Sequence, residues 1–125
     1  MEFSKIEKIS ILNLAVTMAY IDGKMTDSEQ NALLIPTKTF GDTEEDFNEL
    51  LKEAKKIKAT NSVAVVSNMN DEQKMYAAAY LGTIVAADNH IDSAELKLWK
   101  LITNICELPT MTASAATEII RISQL

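Results

Sequence analysis

Residues 19–29 read Ala-Tyr-Ile-Asp-Gly-Lys-Met-Thr-Asp-Ser-Glu, and residues 85–95 read Val-Ala-Ala-Asp-Asn-His-Ile-Asp-Ser-Ala-Glu. Both stretches follow an apolar helical segment and share the pattern Asp-x-x-apolar-(Thr/Asp)-x-x-Glu, at an offset of 66 positions. Self-similarity at a fixed offset indicates a repeated supersecondary unit. We therefore predict two pseudo-symmetric helical units. Each contains one of these two acidic stretches between two helices, and we call the stretches the first and second acidic corners.

Helix signals extend outward from the corners over nearly the whole chain. Ser4 and Glu7 have the spacing of a capping box that opens a helix over 4–21, and Asn70 and Gln73 repeat it for a helix over 71–87. The remaining predicted helices follow Thr26, with a kink or an end at Pro36, and cover 43–57, 63–69, 93–106 and the residues from 112 onward. These segments predict an all-α fold of about seven helices, in two three-helix units joined by a short helix. We expect a single domain over 1–125.

The helices over 4–21 and 71–87 are apolar around most of their circumference, which is typical of helices at the centre of a bundle. The second of them is rich in small side chains, including Gly82, and small side chains let a neighbouring helix approach closely. We therefore expect these two helices to pack together, with Gly82 at their contact.

The composition limits the classes of function. Of 125 residues, 47% are hydrophobic, and 18 acidic against 12 basic residues give a net charge of −6. Arg121 is the only arginine, and an acidic chain with one arginine argues against nucleic-acid binding, which needs a basic surface. No apolar run is long enough to insert in a membrane. The single cysteine favours a reducing compartment, so we expect a cytoplasmic location.

The acidic corners match half of a calcium-binding loop. Asp22 and Glu29, like Asp88 and Glu95, have the spacing of the fifth and twelfth positions of an EF-hand loop. The first half of that loop is missing from both copies, because apolar or aromatic residues occupy the positions that need oxygen ligands. Neither corner can be a complete calcium site, but two half-sites related by pseudo-symmetry could offer four carboxylates to one Ca²⁺, Mg²⁺ or Mn²⁺ ion.

Helix capping explains the same residues without a metal. Thr26 with Glu29, and Asp92 with Glu95, have capping-box spacing, while Gly23 and Asn89 are common helix stops. Asp22 and Asp88 favour the cation interpretation, since an acidic side chain at a helix C-terminus is electrostatically unfavourable and needs compensation. Both interpretations stay open from the sequence.

The paired corners in an all-helical chain of this size resemble the TerB-like (tellurite resistance protein B) family, over about residues 6–122. The resemblance implies two pseudo-symmetric helical units and an acidic pocket linked to metal binding. The matching positions are Asp22, Gly23, Glu29, Asp88 and Glu95, whereas Asn89-His90 departs from the family's usual Gly followed by a polar residue. With Asp92, the acidic cap of the second corner, the candidate metal ligands are Asp22, Glu29, Asp88, Asp92 and Glu95.

Catalytic patterns are weak in this sequence. Cys106 shares an apolar stripe with Trp99 and Ile102, which predicts a packed thiol, and His90 is the only histidine, in a loop. We therefore expect a non-enzymatic protein: a metal-responsive, divalent-cation-binding domain of a stress or tellurite-resistance pathway, as the resemblance implies. The alternative is an acidic protein-interaction module without metal, whose partner is basic or membrane-associated.

Overall fold

The computed structural model describes residues 1–87 and 91–125, and within these ranges it contains helices and no strands. The predicted all-α class is confirmed. The helices of the described ranges are α1 (Lys5–Ala19), α2 (Asp27–Leu33), α3 (Pro36–Phe40), α4 (Glu44–Ala54), α5 (Ala59–Ser67), α6 (Asp71–Val85), α7 (Ser93–Cys106) and α8 (Ala113–Ser123). None of them is long and apolar enough to cross a membrane.

The helix boundaries follow local chemistry. The capping boxes predicted for α1 and α6 are both formed, with Ser4 and Asn70 as N-caps. The predicted interruption at Pro36 divides the second helix into α2 and α3, because proline has no backbone N–H to donate but suits the first position of a new helix. Helix α5 begins at Ala59, earlier than predicted, since no side-chain cap marks its start in the sequence.

Helices α1 and α6 form the centre of the fold. They pack against each other, α1 also packs against α4 and α5, and α6 also packs against α7 and α8. The pairs α1–α4 and α6–α8 are the ones that the repeat offset would relate, and the pseudo-symmetry itself remains a prediction.

Gly82 lies at a different contact from the predicted one. A Cβ atom at this position would stand 2.5 Å from Cζ2 of Trp99 and 2.5 Å from Cβ of Ala116. Gly82 therefore faces α7 and α8 rather than α1, so its predicted place at the central contact was wrong. The large indole of Trp99 takes the space that the missing side chain leaves.

Candidate metal centre

The first acidic corner connects α1 to α2. Gly23 has φ +94°, a left-handed conformation that glycine adopts readily, and Oδ1 of Asp22 accepts a hydrogen bond of 3.3 Å from the amide of Lys24. The amide of Glu29 donates to Oγ1 of Thr26 at 3.1 Å, and the amide of Thr26 donates to Oε1 of Glu29 at 3.0 Å. The predicted capping box is thus complete in this corner.

The second corner precedes α7 and is capped on one side only. Oδ1 of Asp92 accepts from the amide of Glu95 at 3.0 Å, but the Glu95 carboxyl group does not bond back to the cap. The prediction of a full capping box at this corner was therefore wrong. The Glu95 side chain is directed instead toward Glu29 of the other corner. The candidate ligand Asp88, with Asn89 and His90, lies outside the described residues.

The two glutamates meet in the interior. The residue surface is 1% exposed for Glu29 and 4% exposed for Glu95, and the two carboxyl groups lie close enough for Glu29 to raise the pKa of Glu95. Oε2 of Glu29 and Oε1 of Glu95 receive no N–H or O–H group from the described residues. Two ionised carboxylates can only accept, so this contact needs a proton or a cation between the oxygens. Capping alone does not account for such an arrangement.

The electrostatics of the pair follow from its position. Burial raises the pKa of Glu95 to about 9, together with the contact to Glu29 and the negative charges of Glu29, Asp92 and Asp22. Asp22 is exposed and Asp92 is half-buried, and both add negative potential at Glu95. At neutral pH and without a cation, the pair therefore holds a proton.

The donor chemistry suits a hard cation, and the number of assembled ligands is small. Charged carboxylate oxygens without partners are the groups that Ca²⁺, Mg²⁺ and Mn²⁺ prefer. Within residues 1–87 and 91–125, however, no three His, Cys, Asp or Glu side chains form a group arranged to hold a metal. The structure thus brings Glu29 and Glu95 into contact, and it leaves Asp22 and Asp92 as nearby charges.

Cys106 and Trp99 are buried, as their apolar stripe predicts. Burial raises the pKa of the Cys106 thiol, which opposes formation of the reactive thiolate. The indole Nε1 of Trp99 donates to the carbonyl of Ala78 at 3.2 Å. Both side chains therefore belong to the packed interior.

We predict that the metal-free protein loses stability as the pH rises. The folded state holds the Glu95 proton up to about pH 9, whereas the unfolded chain releases it near its ordinary pKa of 4.5. Between these values the folded state binds more protons, so the free energy of unfolding falls with pH, by at most about 1.4 kcal/mol per pH unit for one proton. Urea unfolding with a chelator, from pH 5.5 to 9, measures this slope.

Glu95→Gln supplies the control for that titration, because a neutral amide has no proton to release. The free energy of unfolding of this variant should fall less steeply with pH over the same range. The difference between the two slopes should equal the contribution of one proton. Equal slopes for the two proteins would show that Glu95 is ionised throughout and that the proton-holding pair is not formed.

This geometry defines a class of all-helical proteins in which two acidic corners meet at a buried pair of carboxyl groups. A family model described as tellurite resistance protein TerB matches residues 8–118, and the chain belongs to this family. The crystal structure of a protein of unknown function from Porphyromonas gingivalis is similar, with 38% identity, a TM-score of 0.86 and 98% of each chain covered. No curated protein matches the chain.

Proposed function

We propose that the protein is a divalent-cation-binding domain whose bound ion is held between Glu29 and Glu95. One observation carries the proposal: two buried carboxyl groups, 66 positions apart in the sequence, contact each other and each has an unpartnered oxygen. A cation at this contact would satisfy both oxygens and neutralise the charge. Membership of the TerB family supports a role in a stress or tellurite-resistance pathway.

The surrounding residues orient the two ligands. The amide of Thr26 occupies Oε1 of Glu29, which leaves Oε2 as the oxygen for the ion. The hydrogen bond from the amide of Glu95 to Asp92 fixes the first turn of α7, which carries the Glu95 side chain. Asp22 and Asp92 add negative charge around the pair. The ion supplies positive charge in place of the proton, so its affinity should rise with pH.

Thermal unfolding with Ca²⁺, Mg²⁺ or Mn²⁺ at pH 8 tests this function. An ion present at a hundred times its Kd stabilises the folded state by about 2.7 kcal/mol, which raises Tm by on the order of 10 °C. At least one of the three ions should produce such a shift. Glu44→Gln with Glu45→Gln is the matched control, because it removes two exposed acidic charges at the start of α4 and should keep the full shift.

An apolar groove supports the second candidate, an acidic protein-interaction module without metal. The groove has a volume of about 290 Å³ between α1, α5 and α7, and Leu101 and Ile105 on its edge are each 53% exposed. Exposed apolar clusters of this kind often mark interaction sites. If none of the three ions changes Tm, the cation function fails and this second function replaces it.

We further propose a cytoplasmic location and no enzymatic activity. The free, buried Cys106 supports a reducing compartment. The raised pKa of its thiol supports a structural rather than a catalytic role for it.

A further inference from the structure

The two helices that carry the glutamates are held by the centre of the fold. Helix α2 packs against α1 and α6, and helix α7 packs against α1, α5 and α6. In the described part of the chain, α2 and α7 are not among the pairs that pack extensively against each other. The distance between Glu29 and Glu95 therefore depends on how each helix is attached to its neighbours.

Helix α2 is attached through its last carbonyl group. Leu33 ends the helix, so its carbonyl lacks the partner that a longer helix would provide. The hydroxyl of Tyr80, which is fully buried on α6, donates to this carbonyl at 3.0 Å. Leu33 lies four residues after Glu29, one helical turn further along the same face.

Helix α7 is attached to α6 in a corresponding way. Trp99 lies four residues after Glu95, and its Nε1 donates to the carbonyl of Ala78 on α6. Leu33 and Trp99 occupy equivalent positions in the repeat, at the offset of 66. Ala78 and Tyr80 are separated by about 3 Å along the axis of α6. Both glutamates are thus one turn away from bonds made at the same level of the central helix.

We propose that Tyr80 is a positioning residue of the cation site, and that its hydrogen bond to Leu33 sets the place of Glu29 opposite Glu95. The inference rests on the proposed cation function. Helix α2 has seven residues, and Ala32 and Leu33 are its buried apolar side chains, so packing alone holds it weakly. The hydrogen bond from Tyr80 to the Leu33 carbonyl adds a fixed attachment to this packing.

Calorimetric titration of the full chain with Mn²⁺ at pH 8 and 25 °C tests the proposal. Tyr80→Phe keeps the ring and removes the hydroxyl. Because Tyr80 acts on Glu29 through the backbone of α2, we expect Mn²⁺ binding to weaken by about tenfold, the lower end of the effect of losing a group bonded directly to a metal ligand. Tyr76→Phe is the matched control, since Tyr76 lies one turn earlier on α6 and stacks on Tyr80. Its hydroxyl does not bond to α2, so its Kd should equal that of the wild type.

Native-state hydrogen exchange adds a readout that does not depend on metal. In Tyr80→Phe the amides of α2 should exchange faster, while those of α6 and α8 keep the rates of the Tyr76→Phe control. If the wild type binds Mn²⁺ and Tyr80→Phe binds it equally tightly, this inference is overturned and the cation function stays intact. Wild type that binds no ion would overturn both. Equal weakening by Tyr76→Phe would also contradict the specific role of Tyr80.

Discussion

Gly82→Leu is expected to lower the free energy of unfolding by about 3 kcal/mol or more. The first added atom alone would stand 2.5 Å from both Trp99 and Ala116, and both neighbours are buried. Neither can move without displacing α7 or α8 from α6, and the rest of the leucine side chain adds to the overlap. Urea titration of the variant measures the loss.

A double-mutant cycle identifies the contact responsible. Gly82→Ala should also destabilise the protein, though less, because alanine gains about 1 kcal/mol of helix propensity over glycine. Trp99→Phe removes the ring atoms nearest to the new Cβ, so Gly82→Ala should cost less in that background. An unchanged free energy of unfolding in Gly82→Leu, or the absence of energetic coupling between positions 82 and 99, would contradict the packing of α6 against α7.

Glu29→Gln combined with Glu95→Gln is expected to weaken divalent-cation binding by at least about a hundredfold, because an amide is a much poorer ligand for a hard cation than a carboxylate. Without metal at pH 9, the same variant should be more stable than the wild type by about 1–3 kcal/mol. The substitutions remove the buried charges that repel each other, and the side-chain amide oxygen introduced at position 29 can still accept from the Thr26 amide.

The Glu44→Gln and Glu45→Gln variant again serves as the charge-matched control. It should bind the ion like the wild type and show no gain in stability at pH 9, since both side chains are exposed. Retention of full cation affinity by the Glu29 and Glu95 variant would place the ion elsewhere on the chain. A large loss of metal-free stability would show that the carboxylates have structural partners.

Much of the fold can be predicted from local patterns. The capping residues Ser4, Thr26 and Asn70 start helices where their spacing indicates, and Pro36 interrupts one, because each effect acts within a few residues. Burial of Trp99 and Cys106 follows from helical periodicity. The repeat likewise identifies Glu29 and Glu95 as equivalent positions.

Contacts between distant residues cannot be predicted in this way. Asn13 only interrupts an apolar run in the sequence, yet its Nδ2 donates to the carbonyls of Ala54 and Ile57 at 2.8 Å and 3.0 Å. Capping-box spacing suggests that Glu29 and Glu95 lie on exposed first turns, but both are buried. Their burial depends on how α2 and α7 pack against α6, and the repeat alone does not determine that packing.

Binding of Mn²⁺ followed by amide NMR tests the central claim most directly, because this paramagnetic ion broadens the signals of nuclei near it. At substoichiometric Mn²⁺ and pH 8, we expect the amide signals of residues 26–29 and 92–95 to broaden first and together, from an ion held between Glu29 and Glu95. Broadening centred on the acidic start of α4, at residues 44–46, with the two corners unaffected, would contradict the proposed site.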